Sequence, residues 1–255
     1  MIDIHSHIAW QIDDGMPSKE DAITSFQTAK EDGIEIICST PHFVCGQYDQ
    51  DSIQQIRNRQ KECRELAKEY NIQIAFGAEV FMNQNFPGCL KEGLYETLNQ
   101  SKYLLCEFDV RKDIHDIIDH DEYLYEITAH GMIPCIAHVE RYFSKGLDMD
   151  IVSNWFEKGY VFQINRTSLY GIHGKTIQKN ATSLMEQGYC HVIATDTHRS
   201  EGSRVEILSD IYSEIKKKYG EDYANLLFKT NPYRILTNQE VISRKPKKKG
   251  FFERR

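Results

Sequence analysis

Residues 1–15 read MIDIHSHIAWQIDDG, and the two histidines in that stretch decide the architecture. IDIHSH is a short run of strand type. In a β-strand, residues i and i+2 project to the same face. His5 and His7 therefore point together, and both imidazoles reach one metal ion. Asp13 or Asp14, from the loop that follows, returns to that ion or to a neighbour.

Six further strands are predicted downstream: EIICSTPH (35–42), IQIAFGAE (72–79), YLLCEF (103–108), IPCIAH (133–138), VFQIN (161–165) and HVIATDTH (191–198). Most are short, apolar on both faces and followed by polar residues, as buried parallel strands are. Helical patterns fill the gaps. SKEDAITSFQTAKEDG begins at Ser18, an N-cap, and ends at Gly33, a C′ glycine. DSIQQIRNRQKECRELAKEY (51–70) carries Ile53, Ile56, Cys63, Leu66 and Ala67 at helical spacing. Residues 114–131 and 176–188 also end on glycine, and 204–220 and 222–230 read as two closing helices. FMNQNFPGCLKEGLYETLNQ (81–100) reads as a long loop. Alternating units of this kind predict an α/β fold, a distorted (β/α)7 TIM-like barrel.

In such barrels chemistry sits at the C-terminal ends of the strands. The sequence places His5 and His7, His42, Glu79, Glu107, His138, and Asp196 with His198 at those ends, and Asp14 in the first loop. Asp196-Thr-His198 repeats the spacing of the opening pair. A lone histidine after a strand is ordinarily structural. Nine donors converging on one barrel mouth predict a metal site. They exceed the three or four that one zinc takes, and five histidines with four carboxylates suit two or three divalent ions. Three ions against four carboxylates leave an excess of about +2, which attracts a phosphate dianion.

The chain of 255 residues has a net charge of −7, 40% hydrophobic and 27% charged residues. That describes a globular protein, without an apolar run of the roughly 18 residues a membrane span needs. Opening directly on a strand predicts no signal peptide. Seven cysteines are scattered without a C-x-x-C pair, which predicts free thiols and a cytoplasmic location. The stretch RKPKKKGFFERR (244–255) holds seven Lys or Arg against one Glu. The preceding chain is therefore strongly acidic, which argues against nucleic acid as partner. We expect a barrel domain over 1–240 and a basic, flexible tail over 241–255. Such a tail is ordinarily a solvated charge run. The sharper expectation is weak contact of Lys245 to Lys249, with Phe251 and Phe252, with an anionic membrane surface or an acidic partner.

The motifs DIHSH, DDG, TPH, GAE, CEF, AHVER and ATDTH together resemble the polymerase-and-histidinol-phosphatase (PHP) superfamily. Within it they resemble the manganese-dependent protein-tyrosine phosphatases of bacterial capsule and exopolysaccharide loci, over residues 1 to about 238. The resemblance implies three metals, Mn²⁺ with Fe or Zn as alternatives. His5, His7, Glu79 and Asp196 would hold the first; Glu79, Glu107 and His138 the second; Asp14, His42 and His198 the third. It implies phosphotyrosine on a cognate bacterial tyrosine autokinase as substrate, hydrolysed by a metal-bound hydroxide. Arg141, in the loop after His138, is placed to grip phosphate bidentately. Arg204 matches an arginine the family uses for phosphate, while spacing alone does not choose among it, Arg199 and Arg166. His42 or a metal-held water is expected to assist the leaving group.

Rival readings are histidinol-phosphate or another small phosphomonoester as substrate, a metal-dependent amidohydrolase or deoxyribonuclease, and a non-enzymatic metal-binding module. Cys135 and Arg141 also form a C-x₅-R spacing, the signature of cysteine-dependent tyrosine phosphatases. IAHVE between them lacks the glycine that such a phosphate loop needs. His115 and His120 (on a helix), His130 (at a helix end), His191 (starting a strand) and His173 (ahead of one) are read as structural. Cys38, Cys106 and Cys190 are read as core packing.

Overall fold

In a computed structural model, which describes residues 1–247, the barrel is built of parallel strands throughout. The first stave is β1 (Ile2–Ser6). The second and third predicted strands each break in two, giving β2 (Ile36–Ser39) with β3 (His42–Val44), and β4 (Gln73–Phe76) with β5 (Glu79–Phe81). The remaining staves are β6 (Tyr103–Glu107), β7 (Ile133–Ile136), β8 (Val161–Asn165) and β9 (Val192–Ala194).

The breaks have local causes. Pro41 has no N–H to give to a ladder. At Gly77 a Cβ would lie 3.0 Å from Leu98 Cδ2 and 3.3 Å from Cys38 Sγ, so a side chain there would crowd both. Across the breaks Gly77 N donates to Ser39 O (3.0 Å) and Glu79 N to Pro41 O (3.0 Å), keeping the two staves in register. The result is two tiers. One sheet runs β1-β2-β4, the other β3-β5-β6-β7-β8-β9. The barrel closes where Ser6 bridges Thr197: His7 N donates to Thr197 O and Asp196 N to His5 O, each at 2.9 Å.

Helices cover the staves. α1 (Lys19–Asp32) starts at Ser18, whose Oγ accepts from Asp21 N at 3.1 Å, and ends at Gly33 in the left-handed region (φ 79°). α2 (Gln50–Ala67) is capped by Asp49 and buries Ile53, Ile56, Gln60, Cys63 and Ala67. Gln60 is the polar exception on that face. Its Nε2 donates to Ser39 O and Gly77 O, both at 2.9 Å, bracing the two staves where they break. The stretch expected as a long loop contains α3 (Phe86–Glu92). Pro87 starts that helix, Phe86, Cys89 and Leu90 bury its inner face, and Gly93 stops it. One turn of apolar residues is too short a pattern to stand out in sequence.

Over 114–131 only α4 (His120–Ala129) is α-helical, preceded by a 3₁₀ turn at Ile114–Asp116. α5 (Met149–Glu157) and the short α6 (Arg166–Leu169) complete two units that the sequence left unassigned. α7 (Lys175–Gln187) ends at Gly188 (φ 90°). His173 thus precedes a helix and not a strand. α8 (Ser209–Tyr219) follows, then α9 (Glu221–Asn225), a widened π turn at Leu226–Thr230, and α10 (Asn231–Leu236). No helix among the described residues is long and apolar enough to cross a membrane.

The strands begin in apolar residues that pack together. Ile2, Tyr103, Val161 and Val192 form a cluster with Leu98 and Leu236, which plugs the N-terminal end of the barrel. After α10 the chain stays docked there. Asn231 Oδ1 accepts from Ile242 N (2.8 Å), His191 Nε2 lies 2.9 Å from Ser243 Oγ, and the Lys245 backbone lies against Gly188. Most of the expected basic tail, including Lys248, Lys249, Phe251 and Phe252, lies outside the described residues.

Candidate metal centre

At the other end, the strands finish in polar side chains that meet. His5 and His7 leave β1 on one face, and each is steered through Nδ1. His5 Nδ1 donates to Gln163 Oε1 (2.9 Å), and His7 Nδ1 to Asp13 Oδ2 (2.7 Å). Both Nε2 atoms are thereby turned inward, 3.3 Å apart. Of the two aspartates in the first loop, Asp13 is the support. It also accepts from His42 N (2.8 Å) and Gly15 N (2.9 Å). Asp14 is the one that reaches the centre, 3.3 Å from His42 Nε2 and 3.4 Å from His198 Nε2. Gly15 follows because a Cβ there would lie 2.5 Å from His7 Cβ.

Glu79 is the hub. Its Oε2 lies 3.2 Å from His5 Nε2, His7 Nε2 and His42 Nδ1 alike, and its Oε1 lies 2.9 Å from His138 Nε2. The β3–β5 register, which sets His42 beside Glu79, accounts for one of these contacts. Glu107 Oε1 is 3.0 Å from His42 Nδ1. Asp196 Oδ1 is 3.6 Å from both His5 and His7 Nε2, and 3.3 Å from His198 Nδ1. His138 and Asp196 hold these positions in the left-handed region, at φ 32° and φ 54°. That conformation is uncommon for residues with a side chain and clusters at functional sites.

Three sets have ligand atoms within 4.8 Å of one another: His7, Asp14, His42 and His198; His5, His7, Glu79 and Asp196; and His42, Glu79 and Glu107. The second set coincides with the first expected metal. In the other two, His7 joins the expected third set, and His42 stands with Glu79 and Glu107 where His138 was expected. Glu79 Oε2 is buried, has no hydrogen-bond partner, and faces three imidazole nitrogens. Such a donor set, rich in imidazole and carboxylate around an orphaned buried oxygen, fits divalent cations.

The electrostatics carry the same mark. Burial lowers the His5 pKa, but Glu79 and Asp196 outweigh it and raise it to about 9. Burial is likewise overcome at His42, where Glu79, Asp14 and Glu107 raise it to about 12. Glu107 is pushed up to about 7 by burial and by the Glu79 charge. At Asp196 the pull of burial is beaten by His5, Arg204 and His198, which hold the carboxyl well below its usual range. The raised values of His5 and His42 favour imidazole protons where cations would sit, whereas burial pushes His138 and His198 down to about 4.

Four arginines followed strand ends, and their partners separate them. Arg166 is spent on Asp210 (Nε to Oδ1 3.0 Å), and Arg199 Nη1 donates to the carbonyls of Asp14, Gly15 and His198. Arg204 lies against the centre, Nη2 donating to Asp196 Oδ1 at 2.8 Å. Arg141 Nη1 stands 3.8 Å from Asp196 Oδ2, with its side chain 20% exposed. Cys135 is wholly buried in β7, and burial pushes its thiol up to about 12. No phosphate loop surrounds it, since Ile136 continues the strand and pairs with Phe162.

Two functional residues escaped the sequence. Gln163 Oε1 also accepts from His138 N (2.9 Å), its Nε2 donates to Asn165 Oδ1 (2.7 Å), and Asn165 Nδ2 donates to Asp196 Oδ2 (2.7 Å). This buried chain orients three of the nine donors. Its signal was the alternation of two amides on one face of VFQIN, an otherwise apolar strand.

The other histidines join none of the three sets, although His173 stands near enough to the rim to feel Arg141, Asp196 and Arg204. His115 bridges Asp113 (2.6 Å) and Asp148 (3.0 Å), and His130 bonds the Glu126 carbonyl at the end of α4. His120 stands edge-on to Trp155, and His173 Nε2 meets Thr167 Oγ1 at 3.0 Å.

The sequence matches the family described as capsular polysaccharide synthesis, CpsB/CapC, over residues 1–237. It is 33% identical to the tyrosine-protein phosphatase CpsB of Streptococcus pneumoniae over 248 residues, covering 94% of this chain and all of that protein. It is 28% identical to the tyrosine-protein phosphatase YwqE of Bacillus subtilis, covering 96% of this chain and 95% of that one. The fold superposes on a crystal structure from a study of YwqE of Bacillus subtilis and CpsB of Streptococcus pneumoniae, described as metal-dependent tyrosine phosphatases. The TM-score is 0.80 at 26% identity, over 98% of this chain and 100% of that one. A TatD-like protein of Archaeoglobus fulgidus shares the fold at 14% identity and a TM-score of 0.51, over 93% of this chain and all of that one.

Proposed function

The chain belongs to the CpsB/CapC family of capsular polysaccharide synthesis, and from that premise we infer that it is a metal-dependent protein-tyrosine phosphatase. The substrate is phosphotyrosine on a protein, which we assign to a bacterial tyrosine autokinase that controls polysaccharide assembly. The cofactor is Mn²⁺, in three sites. His5, His7, Glu79 and Asp196 hold one ion; Glu79 and Glu107, with His138 or His42, hold a second; Asp14, His42 and His198 hold the third. The observation that carries this assignment is the convergence of three imidazoles on the orphaned Glu79 Oε2, with two arginines at the rim.

Bound there, divalent ions supply a water acidified towards neutral pH and a positive field for the phosphoryl oxygens. The rest is the work of the chain. Arg141, the less committed of the two rim arginines, binds the phosphate through its planar fork. Arg204 holds the Asp196 carboxylate and adds charge beside it. Gln163 and Asp13 fix the tautomers of His5 and His7 so that both Nε2 atoms stay free. The tyrosyl oxygen leaves as a phenolate of pKa near 10, so it needs less proton assistance than an alkoxide. His42, 25% exposed at the mouth, is assigned to the third ion, so it would line the exit of the leaving group and not itself supply the proton.

The test is turnover of a phosphotyrosyl peptide alongside metal analysis. EDTA abolishes activity and Mn²⁺ restores it, and the peptide outpaces histidinol phosphate. Full activity in verified metal-free protein overturns the assignment. Absence of p-nitrophenyl phosphate turnover with Mn²⁺ leaves a metal-binding module.

A further inference from the structure

A groove of about 540 Å³ runs along α7 beside the amino-terminal end of α5, lined by Lys145, Leu147, Met149, Lys175, Lys179 and Gln187 among others. Two of its lysines are tied by the chain to the mouth of the barrel. Lys145 lies in the same β7–α5 loop as Arg141, and Lys175 begins α7 directly after the loop that carries His173. Asn180, buried in its floor, ties groove and mouth together, because its Nδ2 donates to Glu140 O (3.1 Å) and Phe143 O (2.8 Å) on either side of Arg141.

Its charge is one-sided. Among the described residues no carboxylate lines it, although the chain as a whole carries −7. Two nearby acids have partners of their own. Glu186 faces Lys218 Nζ (3.0 Å) and Tyr219 Oη (2.5 Å), and Asp148 faces His115 (3.0 Å). Lys145 has a loose ion pair with Asp116, 3.8 Å apart with both side chains well exposed. Lys175 and Lys179 are exposed, and among the described residues their side chains have no ion pair or hydrogen bond. At the far end, next to Gln187, the Lys245 backbone crosses Gly188. The track along α7, at 1.5 Å per residue, is roughly 18 Å long, room for about five extended residues.

We propose that this groove docks an acidic segment of the phosphotyrosyl protein, in the same chain as the phosphotyrosine held at the metal centre. The proposal rests on the phosphatase assignment, and it names what that enzyme recognises beyond the phosphate. Lysines on a shallow wall read charge along an extended chain without demanding a sequence. The apolar stems of Leu147 and Met149 give such a segment a surface to lie on.

The test uses the Mn²⁺-loaded full chain and two phosphotyrosyl peptides, one with a run of glutamates beside the tyrosine and one with glutamines. We expect the acidic peptide to show a KM about five- to tenfold lower at low salt, as three exposed ion pairs allow, with kcat unchanged. The difference shrinks in about 0.5 M salt. Combining Lys145→Ala, Lys175→Ala and Lys179→Ala removes the preference while p-nitrophenyl phosphate turnover stays at the wild-type rate. Equal KM values for the two peptides, or a triple variant that keeps the preference, overturns the proposal. So does a triple variant that loses binding to phosphatidylserine vesicles but not to the acidic peptide. Failure of the phosphatase assignment reads differently, as no turnover of either peptide or of p-nitrophenyl phosphate by wild type.

Discussion

The two ends of the barrel use the same staves and follow opposite rules. At the floor, strand beginnings such as Ile2, Tyr103, Val161 and Val192 pack against Leu98 and Leu236. At the mouth, the ends of those strands bury His5, Glu79, Glu107, His138 and Asp196 nearly out of water. Burying apolar surface stabilises the fold at about 25 cal/mol per Å². Burying unpaired charge opposes it, and a site dense in like groups persists only because the floor and the helical shell hold it. The mouth also contains the left-handed His138 and Asp196. Stability and chemistry are therefore separated along the barrel axis, and substitutions should separate them too.

The largest effect belongs to the hub. Glu79→Gln keeps the shape and removes the charge shared by three imidazoles. We expect a loss in kcat of about a hundred- to a thousandfold at saturating Mn²⁺, with the fold retained by circular dichroism. Wild-type turnover in this variant would mean that the converging donors are not the machinery. Next is Arg141→Ala, expected to lower kcat/KM by about a hundredfold, with Arg141→Lys recovering only part because a point charge does not replace the fork. Gln163→Leu sharpens the boundary between the two ends. It leaves every direct donor in place, and Mn²⁺ affinity should drop by about ten- to a hundredfold in titration calorimetry.

At the floor the sign reverses. Leu98→Ala, in the plug, should cost about 2–5 kcal/mol in urea unfolding while the specific activity of the folded, loaded enzyme stays unchanged. The smallest effect is one of pH. In metal-free protein the His5 pKa stands at about 9, because Glu79 and Asp196 outweigh burial. A raised folded-state value contributes stability that is full below the ordinary value near 6.5 and lost as pH rises through 9. The melting temperature of metal-free protein should therefore fall between pH 7 and 9. With Mn²⁺ bound the cation replaces that proton and the slope should flatten.

Much of the mouth was legible because polar donors at the ends of buried parallel strands have few structural reasons to be there. His5-x-His7 announced itself by strand geometry, whereas Asp196-x-His198 shares only its spacing, since β9 ends at Ala194 and Asp196 is left-handed. Caps did the same for α1, whose Ser18 and Gly33 mark both ends. What was hidden depends on contacts distant in sequence. The break at Gly77 reflects the approach of Leu98, and Gln60, a polar residue on an otherwise apolar helix face, is explained only by the carbonyls it bonds. Arg199 and Arg166 follow strand ends as plausibly as Arg141, and only their partners, three loop carbonyls and Asp210, show that their guanidinium groups are already engaged. Gln163 and Asn165 look like strand filler until His5, His138 and Asp196 are seen to lean on them.

The strap after α10 has a practical corollary. Ile242 is clasped by Asn231, Ser243 by His191, and Lys245 rests on Gly188, so the backbone departs from the face opposite the catalytic opening. Immobilising the enzyme through an extension beyond Lys247 would orient every molecule with its working end outward, accessible to large, tethered or crowded phosphoproteins.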